Sequence, residues 1–278
     1  VIETGAGDDR VIGNAIGIID AVGIANSGPE ALIATGRDND LVFGNASAID
    51  LALGIENEDG AIIATGTGDD WIIGEADDLT GLIPFGAMAG ILNDAGSLIQ
   101  TGAGDDGVEG FAFAGTEDGG DSPGDVAGIA NEFSTINLNS GNDFLVGEAF
   151  ALNNQTVDGI ISRGTTEERA VINLGSGDDL VFGFAESDGG FITDGIELIS
   201  SVIISRTGDN FVEGEAVGGF INEGIFVDSD SLIQLGGGND FVGGFAFDGE
   251  FNTGINNFGR IALGAGDDLV DAVFGGFG

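Results

Sequence analysis

The chain has 278 residues, 48 of them Asp or Glu against six Arg, with no Lys and no His, giving a formal net charge of −42. So acidic a surface excludes binding to a phosphate backbone, which needs Lys and Arg, and argues against docking on anionic lipid. The absence of Cys excludes a disulfide scaffold, thiol catalysis and a Cys-based zinc site, and no apolar run reaches the roughly 18 residues of a membrane-spanning helix.

Acidity with low hydrophobicity would suggest disorder, but 42% of the residues are hydrophobic and they recur regularly. The chain opens at Val1 with no charged-then-apolar leader, as expected of a processed chain or an excerpt of a longer one.

From Thr4 onward one pattern recurs nine times. The first four copies are Thr4-Gly-Ala-Gly-Asp-Asp-Arg-Val-Ile12, Thr35-Gly-Arg-Asp-Asn-Asp-Leu-Val-Phe43, Thr65-Gly-Thr-Gly-Asp-Asp-Trp-Ile-Ile73 and Thr101-Gly-Ala-Gly-Asp-Asp-Gly-Val-Glu109. The others begin at Leu138, Leu174, Ser205, Leu235 and Leu263, so successive starts lie 31, 30, 36, 37, 36, 31, 30 and 28 residues apart. Repeats this regular leave no room for a domain boundary, and residues 1–278 read as a single solenoid domain.

Around each motif the apolar positions are fixed. An Ile stands two residues before it, from Ile2 and Ile33 to Ile261. The eighth residue is Val, Ile or Leu, from Val11 to Val270. A small residue follows two places on (Gly13 to Gly244, then Ala272), then Ala (Ala15 to Ala246), and later a Gly-Ile pair ending at Ile24 through Ile255. Spacing by two is strand periodicity, and such residues share one face. One repeat cannot bury that face alone and must stack on the next. The expectation is an all-β, right-handed parallel β-helix of about nine coils with about three short strands each. With coils stacked about 4.8 Å apart, the rod is on the order of 40 Å long. Helices are a poor fit to 54 Gly and many β-branched residues. Length varies chiefly between the Ala and Gly-Ile positions, at Asp77–Ala89 and Phe113–Ala127, which read as insertions on one side.

The acidic turns carry the chemistry. Their two glycines permit positive φ, and the Asp or Asn pair caps its own backbone, so a single copy would need no metal. Stacking changes the balance. Equivalent Asp residues about 5 Å apart on one edge repel by roughly 3 kcal/mol at an effective dielectric of 20. The natural partner is a hard cation such as Ca²⁺, which takes six to eight oxygens from carboxylates and carbonyls. The turn carboxylates are Asp8, Asp9, Asp40, Asp69, Asp70, Asp105, Asp106, Asp143, Asp178, Asp179, Asp209, Asp240, Asp267 and Asp268.

The nine-residue unit resembles the haemolysin-type (RTX) calcium-binding nonapeptide, Gly-Gly-x-Gly-(Asn/Asp)-Asp-x-U-x with U large and apolar. The nine copies span 81 of 278 residues, with the opening Gly replaced by Thr, Leu or Ser. The resemblance implies that the sixth-position Asp binds Ca²⁺ between coils: Asp9, Asp40, Asp70, Asp106, Asp143, Asp179, Asp240 and Asp268. Carbonyls of the turn glycines, such as Gly5, Gly7, Gly66, Gly68, Gly102 and Gly104, would join them. The resemblance also implies export from the cell and folding on meeting external Ca²⁺. Unlike the family's tandem motifs, only one occurs per coil here, so a single edge should carry ions. Arg206 and Asn210 depart from the pattern in the seventh turn, and Asp38 does so in the second. Filling about eight sites would bring the net charge from −42 to roughly −26.

Beside the buried eighth residue, Leu41, Trp71, Phe144, Phe211 and Phe241 should face outward with Phe43, Phe111, Phe182 and Phe245, forming an apolar stripe that marks an interface unless loops cover it. With strand edges at both ends of the stack, the leading expectation is an extracellular structural subunit, Ca²⁺-stabilised and self-assembling head-to-tail into a surface filament or layer. The alternative is a calcium-stiffened stalk or adhesin module of a larger secreted protein. An enzyme is not expected: without His, Lys or Tyr only carboxylates and six unclustered Arg remain for acid–base work. The third motif position is not a Thr ladder, which argues against ice binding.

Overall fold

The computed structural model describes residues 1–78, 88–115, 125–152 and 156–275. Among the described residues each of the first eight coils contributes three strands and the ninth two. In the first, the chain enters the acidic turn on Ile2–Ala6, leaves it on Arg10–Ile16 and returns on Asp20–Ser27. The nine entry strands form one sheet (A), the nine exit strands a second (B) and eight return strands a third (C). Every strand pairs in parallel with the equivalent strand of the neighbouring coil, so the described residues form the parallel β-solenoid that the repeat demands. The two variable stretches are described only at their flanks; 79–87 and 116–124 lie outside the described residues.

Register follows the repeat. Ile33 pairs with Ile63 in sheet A, Val42 with Ile72 in sheet B, and Ile55 with Ile91 in sheet C. In the third coil Ile63, Ile72 and Ile91 are all fully buried, and their equivalents join one continuous core in every coil except at Ile2 and Val270, which are exposed at the two ends. Each such Ile contributes about 1.5–3 kcal/mol through burial.

A second, narrower core of Ala46, Ala76, Ala112, Ala149 and Ala185 with Met88, Val126 and Val157 runs beside the first. Glycine divides the two. A Cβ at Gly44 would lie 2.1 Å from the carbonyl oxygen of Gly54, and one at Gly147 would lie 2.1 Å from that of Gly159. Sheets B and C therefore touch backbone to backbone along this line, which accounts for both the small residue of each exit strand and the Gly of each Gly-Ile pair.

Inside sheet C runs a buried amide column. Asn26 Nδ2 donates to Asn57 Oδ1 (2.8 Å), Asn57 to Asn93 (2.8 Å) and Asn93 to Asn131 (2.9 Å). The column ends at Ser162, whose row continues as Leu198 and Val227. On the outer face of sheet B, Trp71, Phe111, Phe144 and Phe211 are exposed as expected, while Phe43, Phe182, Phe241 and Phe245 are half-buried. Phe211 stacks on Phe241 with ring centroids 4.5 Å apart.

The glycine contact gives a direct test. Gly147→Ala forces a methyl into the backbone of sheet C. It should lower the unfolding free energy by about 1–3 kcal/mol or more, the cost of overpacking. Denaturant titration of the variant against the parent chain measures it.

Candidate metal site at the acidic turns

The turns join sheets A and B, and they stack as closely as the strands. The second and fourth motif positions hold positive φ in nearly every coil: Gly5 and Gly7, Gly66 and Gly68, Gly102 and Gly104. Asp38, which stands at a glycine position, adopts φ 71° and keeps the turn, and Asn139 does the same at φ 70°. Gly104 is constrained twice over: its φ is 142°, and a Cβ there would sit 1.9 Å from the Gly68 carbonyl oxygen.

Two side-chain ladders of opposite sense climb this edge. In the outer ladder the fifth-position side chain accepts from the backbone N–H of the following coil. Asp8 Oδ1 accepts from Asn39 N (3.2 Å), Asp69 from Asp105 (3.1 Å), Asp105 from Asn142 (2.8 Å), Asp178 from Asp209 (2.8 Å) and Asp209 from Asn239 (2.7 Å). Asp267 donates its N–H to Asn239 Oδ1 at 2.9 Å. In the inner ladder the sixth-position carboxylate accepts from the preceding coil. Asp9 N donates to Asp40 Oδ1, Asp40 N to Asp70, Asp70 N to Asp106 and Asp106 N to Asp143, each at 2.8 Å. Asp143 N reaches Asp179 and Asp240 N reaches Asp268, both at 3.1 Å.

The inner ladder leaves half of each carboxylate unanswered. Asp40, Asp70, Asp106, Asp143, Asp179 and Asp240 are all at most 2% exposed. The Oδ2 atoms of these six and of Asp9 are buried with no hydrogen-bond partner. A buried carboxylate oxygen without a partner is costly, and here seven stand in one column. Asp268 is exposed and closes it.

The seventh turn is the informative exception. At Arg206 the pairing of sheet A shifts register, and the inner position is Asn210. Asn210 Nδ2 donates to Asp240 Oδ1 and to the Gly208 carbonyl, both at 2.9 Å. That amide adds a second donor to an oxygen already held by the Asn210 N–H, so Asp240 Oδ2 stays without a partner.

Burial raises the affinity of the column for protons. It lifts Asp70 from 3.8 to about 6, opposed by the Asp40 N–H and the Thr65 hydroxyl. It lifts Asp143 and Asp179 to about 7, opposed by the Asp106 and Asp143 N–H groups respectively. The opening motif residue accounts for part of the difference. Thr65 and Thr101 stand close enough to Asp70 and Asp106 to lower them, although their hydroxyl hydrogens go to the Thr101 and Leu138 carbonyls, whereas Leu138 and Leu174 lie in the core and bring no polar group.

Among the described residues no three carboxylates converge on one point. An ion on this edge would therefore have to complete its shell with backbone carbonyls and water. The carboxylates Asp8, Asp69, Asp105, Asp178, Asp209 and Asp267 lie on the outer ladder, and the others of the column on the inner. Sequence spacing alone did not separate these two roles. The chain matches no protein-family model, no curated protein and no solved structure.

The raised carboxylates set a pH dependence. In the unfolded chain they lose their protons near pH 4, while Asp143 and Asp179 keep theirs in the folded, cation-free protein to about 7. The native state binds more protons over that interval, so stability falls as pH rises through it. In EDTA the melting temperature should drop steadily between about pH 4 and about pH 7; thermal unfolding at fixed ionic strength measures it.

Proposed function

We propose that the chain is a Ca²⁺-stabilised structural solenoid that works outside the cell, its ions held along the acidic edge. The observation that carries this reading is the column of seven buried, partnerless Oδ2 atoms, six on consecutive coils and the seventh beyond Asn210. Asp9, Asp40, Asp70, Asp106, Asp143, Asp179 and Asp240 would hold the ions, assisted by turn carbonyls. Bound Ca²⁺ would supply the positive charge that the column lacks and cross-link successive coils. Oxygen-only sites with few carboxylates per ion suit hard cations at extracellular concentrations, where affinities of about 10⁻⁴–10⁻³ M suffice. The likeness to the RTX nonapeptide points the same way. The absence of His, Lys, Cys and Tyr leaves little equipment for catalysis, and a binding and scaffolding role needs none.

Calorimetric titration with Ca²⁺ near pH 7.5, paired with thermal unfolding in Ca²⁺ and in EDTA, tests the reading. Each site filled at a hundred times its Kd should add about 2.7 kcal/mol. Asp143→Asn should raise the stability of the cation-free protein by roughly 1–3 kcal/mol, because it removes a buried charge, and should lower the number of ions bound. No binding heat and no shift on adding Ca²⁺ would reduce the column to a metal-free turn ladder.

Head-to-tail assembly is the second reading. Among the described residues the strand Ile2–Ala6 pairs only with Leu32–Arg37, and Leu269–Gly275 only with Phe241–Phe247. Such edges are paired either by further coils of a longer chain or by another copy. Electron microscopy in millimolar Ca²⁺ separates the two: filaments that fray in EDTA support assembly, and monomeric rods favour a stalk or adhesin module.

A further inference from the structure

Away from the acidic turns, the outer face of sheet C buries a second group of carboxylates. Asp158, on Thr156–Arg163, is the register partner of Asp194, on Ile192–Ile199. The same row continues to Glu223 on one side and to Ala127 on the other. Asp158 is 0% exposed and Asp194 is 1% exposed. Both oxygens of Asp158 and Oδ1 of Asp194 have no hydrogen-bond partner.

The charges around the pair do not answer it. Glu197 lies in the adjoining row, and Asp125 and Glu223 also bear on the pair. Among the described residues the one cation beside the pair is Arg163, and its guanidinium is engaged elsewhere: Nε and Nη2 donate to Glu197 Oε2 at 3.1 and 2.9 Å, and Nη1 to Asp125 Oδ2 at 3.2 Å. Two bare carboxylates on adjacent rungs, about 4.8 Å apart in a dry environment, would repel with no counter-ion between them. A single proton removes the conflict, because a protonated carboxyl donates to its neighbour and satisfies an oxygen on each side. Burial raises the proton affinity of both groups, in the direction this arrangement needs.

We propose that Asp158 and Asp194 share one proton as a carboxyl–carboxylate pair, and that this proton latches the fifth coil to the sixth. The latch is independent of the turn column: it lies on another sheet and needs no metal. It closes when one proton enters the pair and opens when base withdraws it, leaving two buried like charges. Raising the pH therefore loosens this coil junction whatever the state of the acidic turns.

Infrared spectroscopy of protein carrying ¹³C-labelled Asp tests it, in saturating Ca²⁺ to suppress protons on the turn carboxylates and again in EDTA. A protonated-carboxyl band should be present at neutral pH in both conditions and, in Ca²⁺, vanish in Asp158→Asn and in Asp194→Asn. Asp158→Asn should remain folded, its amide donating to Asp194, and should lose the part of the pH-dependent melting that the parent shows in Ca²⁺. Asp158→Ala, which leaves Asp194 charged or protonated alone, should melt lower than Asp158→Asn. Absence of the band at neutral pH in Ca²⁺, or its persistence there in both Asn variants, overturns the proposal. So does equilibrium dialysis showing that Asp158→Asn binds one Ca²⁺ fewer than the parent, since the pair would then be a cation site. Loss of Ca²⁺ binding at the turns with the band intact would remove the proposed function and leave the latch standing.

Discussion

Every side chain in a stacked solenoid meets its counterpart one rung away, about 4.8 Å along the axis. That constraint decides what each position of the repeat tolerates. For Ile, Val and Ala, self-contact is favourable and grows with coil number, producing the two cores. For Asn it is favourable too, because an amide both donates and accepts, and the Asn26–Asn131 column follows. For Asp it is unfavourable, because a carboxylate only accepts. The molecule nevertheless repeats Asp at its inner turn position in eight of nine coils. Somewhere a donor or a positive charge has to enter.

Part of it comes from the backbone. Beyond the first coil each inner carboxylate takes one N–H from the coil before, except that the seventh inner position is Asn210, and each outer side chain but the last takes one from the coil after. The turn thereby uses N–H groups that would otherwise lack partners, and half of each inner carboxylate is satisfied. The remainder is not met by Asn210, whose amide donates to the Asp240 oxygen that the backbone already holds. At the buried rungs it is left to protons or to an ion. The same reasoning covers the Asp158–Asp194 pair, where the backbone offers nothing because the residues lie within the sheet rather than in a turn.

Much of this was legible in the sequence. Period-two apolar positions at fixed offsets from a recurring motif placed Ile63, Ile72 and Ile91 in one core before any coordinates, because stacking forces equivalent residues together. The odd seventh turn was visible in Arg206 and Asn210. The Asn column also had a signal, since Asn26, Asn57, Asn93 and Asn131 each follow the return-strand Ile by two, but a polar residue at an inward position is unexpected unless its neighbours are known to satisfy it. The direct contact of sheets B and C was not legible, since glycine at that offset reads equally as a turn or a small core residue. Nor were the opposed senses of the two ladders, which depend on which way each turn tilts. Asp158 and Asp194 were hidden among 48 acidic residues; only burial distinguishes them.

The two opposed ladders also bear on how the rod carries load. Strands run across the axis, so axial tension falls on the hydrogen bonds between coils, all junctions in series. At most junctions the bonds of three sheets are supplemented on one edge by a pair of side-chain ties that lean in opposite directions, so a twist of either hand tightens one while slackening the other. The junction between the sixth and seventh coils has lost one of its ties: Asn210 turns its amide onward to Asp240, and the pairing of sheet A slips beside it. Of the eight junctions this is the one whose acidic edge keeps a single tie, so along that edge a pulled rod parts here first.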